Sequence, residues 1–111
     1  MKTTPEKEDA VKRRIKKWLK DQGVFHWSNA AGPYSVHGIP DLMAVREGIL
    51  YGIEVKRPGG KPTPHQLRFI AAIQSAGGKA AVCDSLDAVL ELFDVDITGQ
   101  TRCRAQAEEP P

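Results

Sequence analysis

The sequence predicts one domain of the mixed α/β (α+β) class, with elements in the order helix, three strands, helix, strand, helix. The length of 111 residues allows a single hydrophobic core with little to spare. Short apolar, partly alternating segments stand between longer segments whose apolar residues recur at helical spacing. With 41% hydrophobic and 27% charged residues, the composition is that of a folded globular domain rather than a disordered chain.

The first helix is predicted to begin at Thr4-Pro5, since threonine is a good cap and proline suits the first helical position. It should end near Asp21, with Gly23 just beyond. Glu8 lies on the apolar stripe of this helix. Its carboxylate is therefore either solvated near the helix end or directed into a site. The stripe consists of Val11, Ile15, Trp18 and Leu19.

Residues 39–46 and 49–56 are short and apolar, and only Glu47-Gly48 separates them. This pattern predicts a β-hairpin, although Glu-Gly is a weaker turn dipeptide than Asn-Gly or Asp-Gly. A two-residue loop pairs Arg46 with Ile49. A three-residue loop with glycine in the left-handed region, or a slip of one residue, is the alternative register.

The two-residue loop brings two carboxylates together. Counting back from the turn sets Asp41 opposite Glu54, and alternation puts Lys56 on the same face. Opposed Cβ atoms are about 4.5–5.5 Å apart, where like charges destabilise a sheet. A divalent cation is the simplest explanation. The alternative is that Asp41 merely starts a strand whose solvated face carries the other two charges.

The segment before the hairpin is predicted to be a strand over residues 24–28 and a loop over residues 29–38. Because the loop runs directly into Asp41, its polar side chains and one histidine of the strand are candidates for the border of a site, although the pattern favours an ordinary loop or strand residue at each position. The histidines do not have zinc-motif spacing. The candidates are His26, Asn29, Tyr34 and His37.

A second helix is predicted from Thr63-Pro64 to about Ala76, with Gly77-Gly78 ending it. Gln66 follows the threonine by three residues and forms a capping box, which gives this glutamine a purely structural explanation. A fourth strand should occupy residues 79–83. Ser85 should then cap a short helix that reaches about Phe93, and residues 95–111 should form a polar, flexible tail.

The formal charge of +2 is unevenly distributed. Residues 1–83 contain 14 Lys/Arg and 7 Asp/Glu, whereas residues 84–111 contain 2 and 7. A basic body suits an anionic partner, of which nucleic acid is the commonest, although lysines also simply solvate helix surfaces. Cys83 and Cys103 are too few for a disulfide framework, and no apolar run reaches membrane-spanning length. We therefore expect a cytoplasmic protein with no membrane partner.

These features resemble the PD-(D/E)XK nuclease superfamily and, more narrowly, the stand-alone VRR-NUC family of phages and bacteria. The motif is Asp41, twelve intervening residues, then Glu54-Val55-Lys56. The resemblance covers about residues 6–93. It implies a restriction-endonuclease-like core with a central mixed sheet flanked by helices, in a domain of residues 1–94. Further matching segments are Glu8, Gly38-Ile39-Pro40-Asp41-Leu42, Gly52-Ile53 and Thr63-Pro64-His65-Gln66.

The resemblance implies a nuclease that depends on Mg²⁺ or Mn²⁺ and uses no small-molecule cofactor. By position, Asp41 and Glu54 would be metal ligands, with the Val55 carbonyl and the helix acid Glu8. Lys56 would orient the attacking water and stabilise charge. Gln66 matches the glutamine of the following helix.

The family also implies a homodimer that cuts branched DNA such as four-way junctions, in repair, recombination or phage replication inside a bacterial host. Basic side chains would bind the DNA backbone. Alternative functions are a nicking, flap- or end-processing nuclease, and a non-catalytic double-stranded nucleic-acid-binding module with the same order of elements. The predicted DNA-binding residues are Lys12, Arg13, Lys16, Lys17, Arg57 and Lys61.

Overall fold

A computed structural model describes residues 7–29 and 36–102 of the chain. It confirms the predicted class and order of elements. The helices are α1 (Glu8–Asp21), α2 (Pro64–Ser75) and α3 (Leu86–Phe93), and the strands are β1 (Phe25–Ser28), β2 (Leu42–Arg46), β3 (Ile49–Val55) and β4 (Lys79–Cys83). The strands form one mixed sheet in the order β1-β2-β3-β4, antiparallel except for the parallel pair β3 and β4. No helix in the described part of the chain is long and apolar enough to span a membrane.

Helix α1 begins later than the sequence predicted. Lys7 occupies the N-cap position with extended backbone angles, and the first helical residue is Glu8. Thr4-Pro5, the predicted start, lie outside the described residues. The helix end at Asp21 is as predicted, and Gly23 follows it with a φ of 69°.

The hairpin has the two-residue loop and the register that the sequence predicted. Arg46 pairs with Ile49, and both loop residues have positive φ, 52° for Glu47 and 79° for Gly48. Such a loop matches the right-handed twist of the flanking strands. The ladder ends at the pair Leu42 and Ile53, so Asp41 lies one residue beyond the pairing.

Helices cover both faces of the sheet, two on one face and one on the other. The larger core packs α1 and α3 against the face of the central strands that carries Leu42, Ala44 and Ile53. The smaller core lies under α2, where Ile70 and Ile73 contact the other face. Since Glu54 and Gly52 alternate with Ile53 along β3, they belong to the α2 side of the sheet. The start of α2 therefore lies over the end of the hairpin at which the acidic residues gather.

Residues 95–102 are mostly exposed but contact the folded domain at a few points, and the flexibility predicted for residues 95–111 stays a prediction. Val95 is fully buried and forms a bridge with Thr101. The indole Nε1 of Trp18 donates a hydrogen bond to the Ile97 carbonyl at 3.0 Å. The segment is polar and has no periodicity of its own. It is held by the burial of Val95, by the bridge to Thr101 and by the hydrogen bond from Trp18. Residues 103–111 lie outside the described residues, and Cys103 with them.

Candidate active site

Asp41 and Glu54 meet where the hairpin strands leave the ladder. The Asp41 Oδ2 accepts a hydrogen bond from the backbone N–H of Val55 at 3.1 Å, which ties the carboxylate to the end of β3. Glu54 precedes this valine, and only 2% of its surface is exposed. The two acids are therefore neighbours, as the predicted register required, and one of them is buried.

The segment that carries Asp41 is held from β1. The backbone N–H of Asn29 donates to the Asp41 carbonyl, and the Asn29 side-chain amide donates to the Pro40 carbonyl, both at 2.8 Å. The Asn29 amide thus satisfies the carbonyl of a proline that has no N–H to donate to a strand ladder. Asn29 thus borders the site as predicted, and its role there is to position the acidic segment.

The environment of Glu54 disfavours its charge. Burial, followed by the charges of Asp41 and Glu8, raises the pKa of Glu54 from 4.5 to about 7, against the lowering effect of Lys56. The Lys56 Nζ lies 3.4 Å from Glu54 Oε2. The second oxygen, Oε1, is buried and has no hydrogen-bond partner among the described residues. A buried carboxylate oxygen without a protein partner is rare in folded proteins, and its lone pairs are available to a water or a cation.

Gln66 forms the predicted capping box and also contacts Glu54, while its role in a reaction stays a prediction. Its N–H donates to Thr63 Oγ1 and its side-chain Oε1 accepts from the Thr63 N–H, which is the predicted capping box. The same side chain donates from Nε2 to Glu54 Oε2 at 2.9 Å. Helix capping and contact with the site are therefore compatible, because the amide oxygen makes the capping bond and the amide nitrogen makes the bond to Glu54.

Lys12 lies at the acids, whereas the sequence assigned it only to the DNA backbone. Its Nζ is 3.8 Å from Asp41 Oδ1. Lys17 forms a surface pair with Asp21 at 2.9 Å. A long side chain on the second turn of α1 reaches the site because the helix begins at Glu8, close to the hairpin acids. The other predicted DNA-binding residues, Arg13, Lys16, Arg57 and Lys61, have exposed side chains.

The donor set suits a hard cation held by few side chains. No three His, Cys, Asp or Glu side chains in the described ranges form a group able to hold a metal. Mg²⁺ commonly binds one or two carboxylates and keeps several waters. Asp41 and Glu54 with its unpartnered oxygen fit that mode. The ligand roles of Glu8 and of the Val55 carbonyl stay predictions.

The histidines among the remaining candidates have partners of their own. His26 hydrogen bonds through Nδ1 to the Val24 carbonyl at 2.8 Å, and the rings of His37 and His65 are in edge-to-face contact at 5.4 Å. Tyr34 lies outside the described residues.

Burial raises the pKa of the Cys83 thiol to about 12, which makes it an unreactive core residue at neutral pH.

Comparison with known proteins supports the resemblance inferred from the motifs. The profile of the VRR-NUC domain family matches residues 3–87. A putative nuclease, p44 of Acyrthosiphon pisum secondary endosymbiont phage 1, is 45% identical over 51 residues, which are 45% of this chain and 55% of that protein.

Two solved structures share the fold. One VRR-NUC domain has a TM-score of 0.63 at 27% identity, over 78% of this chain and 94% of the other. A second VRR-NUC domain protein has a TM-score of 0.62 at 22% identity, over 89% of this chain and all of the other, and at that identity it supports the fold alone.

Proposed function

Because this chain belongs to the VRR-NUC domain family, we propose that it is a metal-dependent DNA endonuclease that hydrolyses phosphodiester bonds. The observation that carries the proposal is the environment of Glu54. This carboxylate is buried beside Asp41 and Lys56, and one of its oxygens has no partner among the described residues. Core packing does not require such a group. A bound cation would give this oxygen a partner and would neutralise the two acids.

The carboxylates supply the place for the ion. Asp41 and Glu54 would hold Mg²⁺ or Mn²⁺, which polarises the scissile phosphate and lowers the pKa of water when it is bound. The Val55 N–H fixes Asp41, and the Gln66 amide fixes Glu54, so that both carboxylates are oriented before a ligand arrives. Orientation in advance avoids reorganisation during the reaction.

Lys56 supplies positive charge next to the carboxylates. Its ammonium is 3.4 Å from Glu54 and mostly buried, so it cannot move far to meet a substrate. A fixed cation stabilises negative charge as it grows on the phosphate oxygens, and it does so more in the transition state than in the ground state. The exposed basic residues of α1 and of the loop after β3 would hold neighbouring phosphates and give affinity that falls with salt.

The finer part of the proposal is a homodimer that cuts branched DNA symmetrically. Two active sites related by a twofold axis suit a substrate with two equivalent strands. Exposed aromatic rings on the edge strand support a subunit interface: Phe25 is 69% and Trp27 39% exposed, with their centroids 5.5 Å apart. The phage relative is consistent with action inside a bacterial host.

The test is cleavage of a labelled four-way junction, a flap, linear duplex and single strand, each with Mg²⁺, Mn²⁺ or EDTA. Asp41→Asn and Glu54→Gln should abolish cleavage and leave DNA binding intact. Glu47→Gln, an exposed glutamate on the same hairpin, is the matched control and should cut like the wild type.

Each result has a distinct meaning. Paired symmetric cuts that need metal support the whole proposal, and a solution mass of two chains supports the dimer. Metal-dependent cutting without preference for the junction keeps the site and replaces the substrate with flaps, ends or nicked duplex. Binding without turnover in any metal would contradict the enzymatic proposal.

A further inference from the structure

The side chain of Gln66 is held at both ends. Its Oε1 accepts from the Thr63 backbone N–H at 2.8 Å, and its Nε2 donates to Glu54 Oε2 at 2.9 Å. The amide therefore has no freedom to rotate without breaking one of the two bonds. The helix cap and the buried carboxylate of the candidate site share a single planar group.

The cap also fixes where the helix starts. Thr63 Oγ1 accepts from the Gln66 N–H at 3.2 Å, which sets the backbone from which the glutamine side chain extends. On the outer side, Gly38 approaches the same turn closely: a Cβ added there would clash with the His65 carbonyl oxygen. The first turn of α2 is thus fixed between its own cap and the loop that leads to Asp41.

We propose that Thr63 is a positioning residue for the candidate site, and that the cap of α2 keeps the Gln66 amide on Glu54. Only the expected change in kcat rests on the proposed function; the expected change in amide exchange does not. A glutamine side chain has several rotatable bonds, and an uncapped helix end frays, so without the cap the amide would sample other rotamers. Partners that orient the ligands of a metal commonly change affinity or activity 10–100-fold when they are removed.

The chain contains a matched control for the cap. Ser85 is the N-cap of α3, and its Oγ accepts from the Ala88 N–H at 3.2 Å, the same distance as in the cap of α2. The Ala88 side chain is apolar and does not extend to the site. Thr63→Ala and Ser85→Ala therefore remove the same kind of bond, but only the first removes a bond that is connected to Glu54.

The experiment combines a spectroscopic and a kinetic measurement. The side-chain amide resonance of Gln66 is identified by its loss in Gln66→Ala. In Thr63→Ala its hydrogen exchange with water should be faster than in the wild type, and kcat should fall about tenfold with KM unchanged. Thr63→Ser should restore both values. Ser85→Ala should change neither, although its melting temperature should fall by the same few degrees as that of Thr63→Ala.

Two results would overturn the proposal: wild-type amide exchange in Thr63→Ala, or an equal loss of kcat in Ser85→Ala. If Thr63→Ala does not fold, Thr63→Val replaces it, because valine keeps the branched shape and lacks only the acceptor. If the wild type cuts no DNA, the proposed function fails. The exchange measurement still decides whether the cap holds the amide.

Discussion

The Nζ of Lys12 lies 3.8 Å from the Oδ1 of Asp41, and both side chains are about three-quarters buried. This contact brings a cation from the first helix to one of the two carboxylates that would hold a metal. A cation already at that position competes with a second one. Lys12 therefore acts on the site electrostatically, in addition to any contact with DNA phosphates.

We predict that Lys12→Met strengthens binding of Mg²⁺. The lysine carries one positive charge and Mg²⁺ carries two, so at a separation of about 4 Å in water they repel by about 2 kcal/mol, which corresponds to roughly a thirtyfold change in affinity. Titration calorimetry of the protein with Mg²⁺ in the absence of DNA should show a lower Kd for the variant. Lys16→Met, one turn further along α1 and exposed, is the control and should bind Mg²⁺ like the wild type.

The opposite result would also be informative. If Lys12→Met bound Mg²⁺ more weakly, the lysine would be orienting Asp41 rather than competing with the ion. An unchanged Kd would mean that Asp41 does not bind the metal.

Glu54 should give the protein an unusual pH dependence of stability. Its pKa is raised in the folded state from 4.5 to about 7, chiefly by burial, so the folded protein binds this proton more tightly than the unfolded chain. Stability from this group is complete below pH 4.5 and is lost as the pH rises through 7. A shift of this size corresponds to at most about 3 kcal/mol.

Urea unfolding at pH 5 and pH 8 measures this effect. The wild type should lose stability relative to Glu54→Gln over that interval, because glutamine cannot ionise, and Mg²⁺ at pH 8 should restore part of the loss. Glu47→Gln should follow the wild type. Parallel curves for the wild type and Glu54→Gln would show that Glu54 is not the buried ionisable group.

The sequence predicted the parts of the site that depend on local rules. A two-residue loop fixed the register of Asp41 against Glu54, and the spacing of Thr63 and Gln66 identified the capping box. The contact of Lys12 with the hairpin could not be predicted, because it depends on where α1 sits relative to the sheet. The hydrogen bond from the Gln66 amide to Glu54 could not be predicted from local spacing either, because it depends on where α2 lies relative to β3.

Gly38 is required for two reasons, its backbone conformation and its close contact with α2, and the local sequence does not predict that contact. Its φ of 82° favours glycine, and its close approach to α2 excludes any side chain. Gly23 has a similar φ of 69° but nothing within 4 Å of an added Cβ. The pair therefore separates backbone strain from steric contact.

We predict that Gly38→Ala destabilises the protein more than Gly23→Ala. The left-handed backbone alone costs about 1–2 kcal/mol for alanine, and the clash with the His65 carbonyl adds roughly 1–3 kcal/mol in Gly38→Ala. Urea unfolding gives both values. Gly38→Ala should also accelerate amide exchange at Gln66, whereas Gly23→Ala should not. Equal destabilisation by the two changes would mean that the start of α2 moves away from the loop without loss.

Val95 tests whether the chain beyond α3 belongs to the folded domain. Its side chain is fully buried, its N–H donates to the Leu90 carbonyl at 3.0 Å, and its carbonyl accepts from Arg102 Nε at 2.9 Å. Val95→Ala removes buried methyl groups and leaves a small cavity, so the free energy of unfolding should fall by about 2 kcal/mol. Val36→Ala, at a valine that is 60% exposed, should change it by less than about 0.5 kcal/mol. If both variants unfolded at the wild-type urea concentration, residues 95–102 would not contribute to the core, and the domain would end near Phe93.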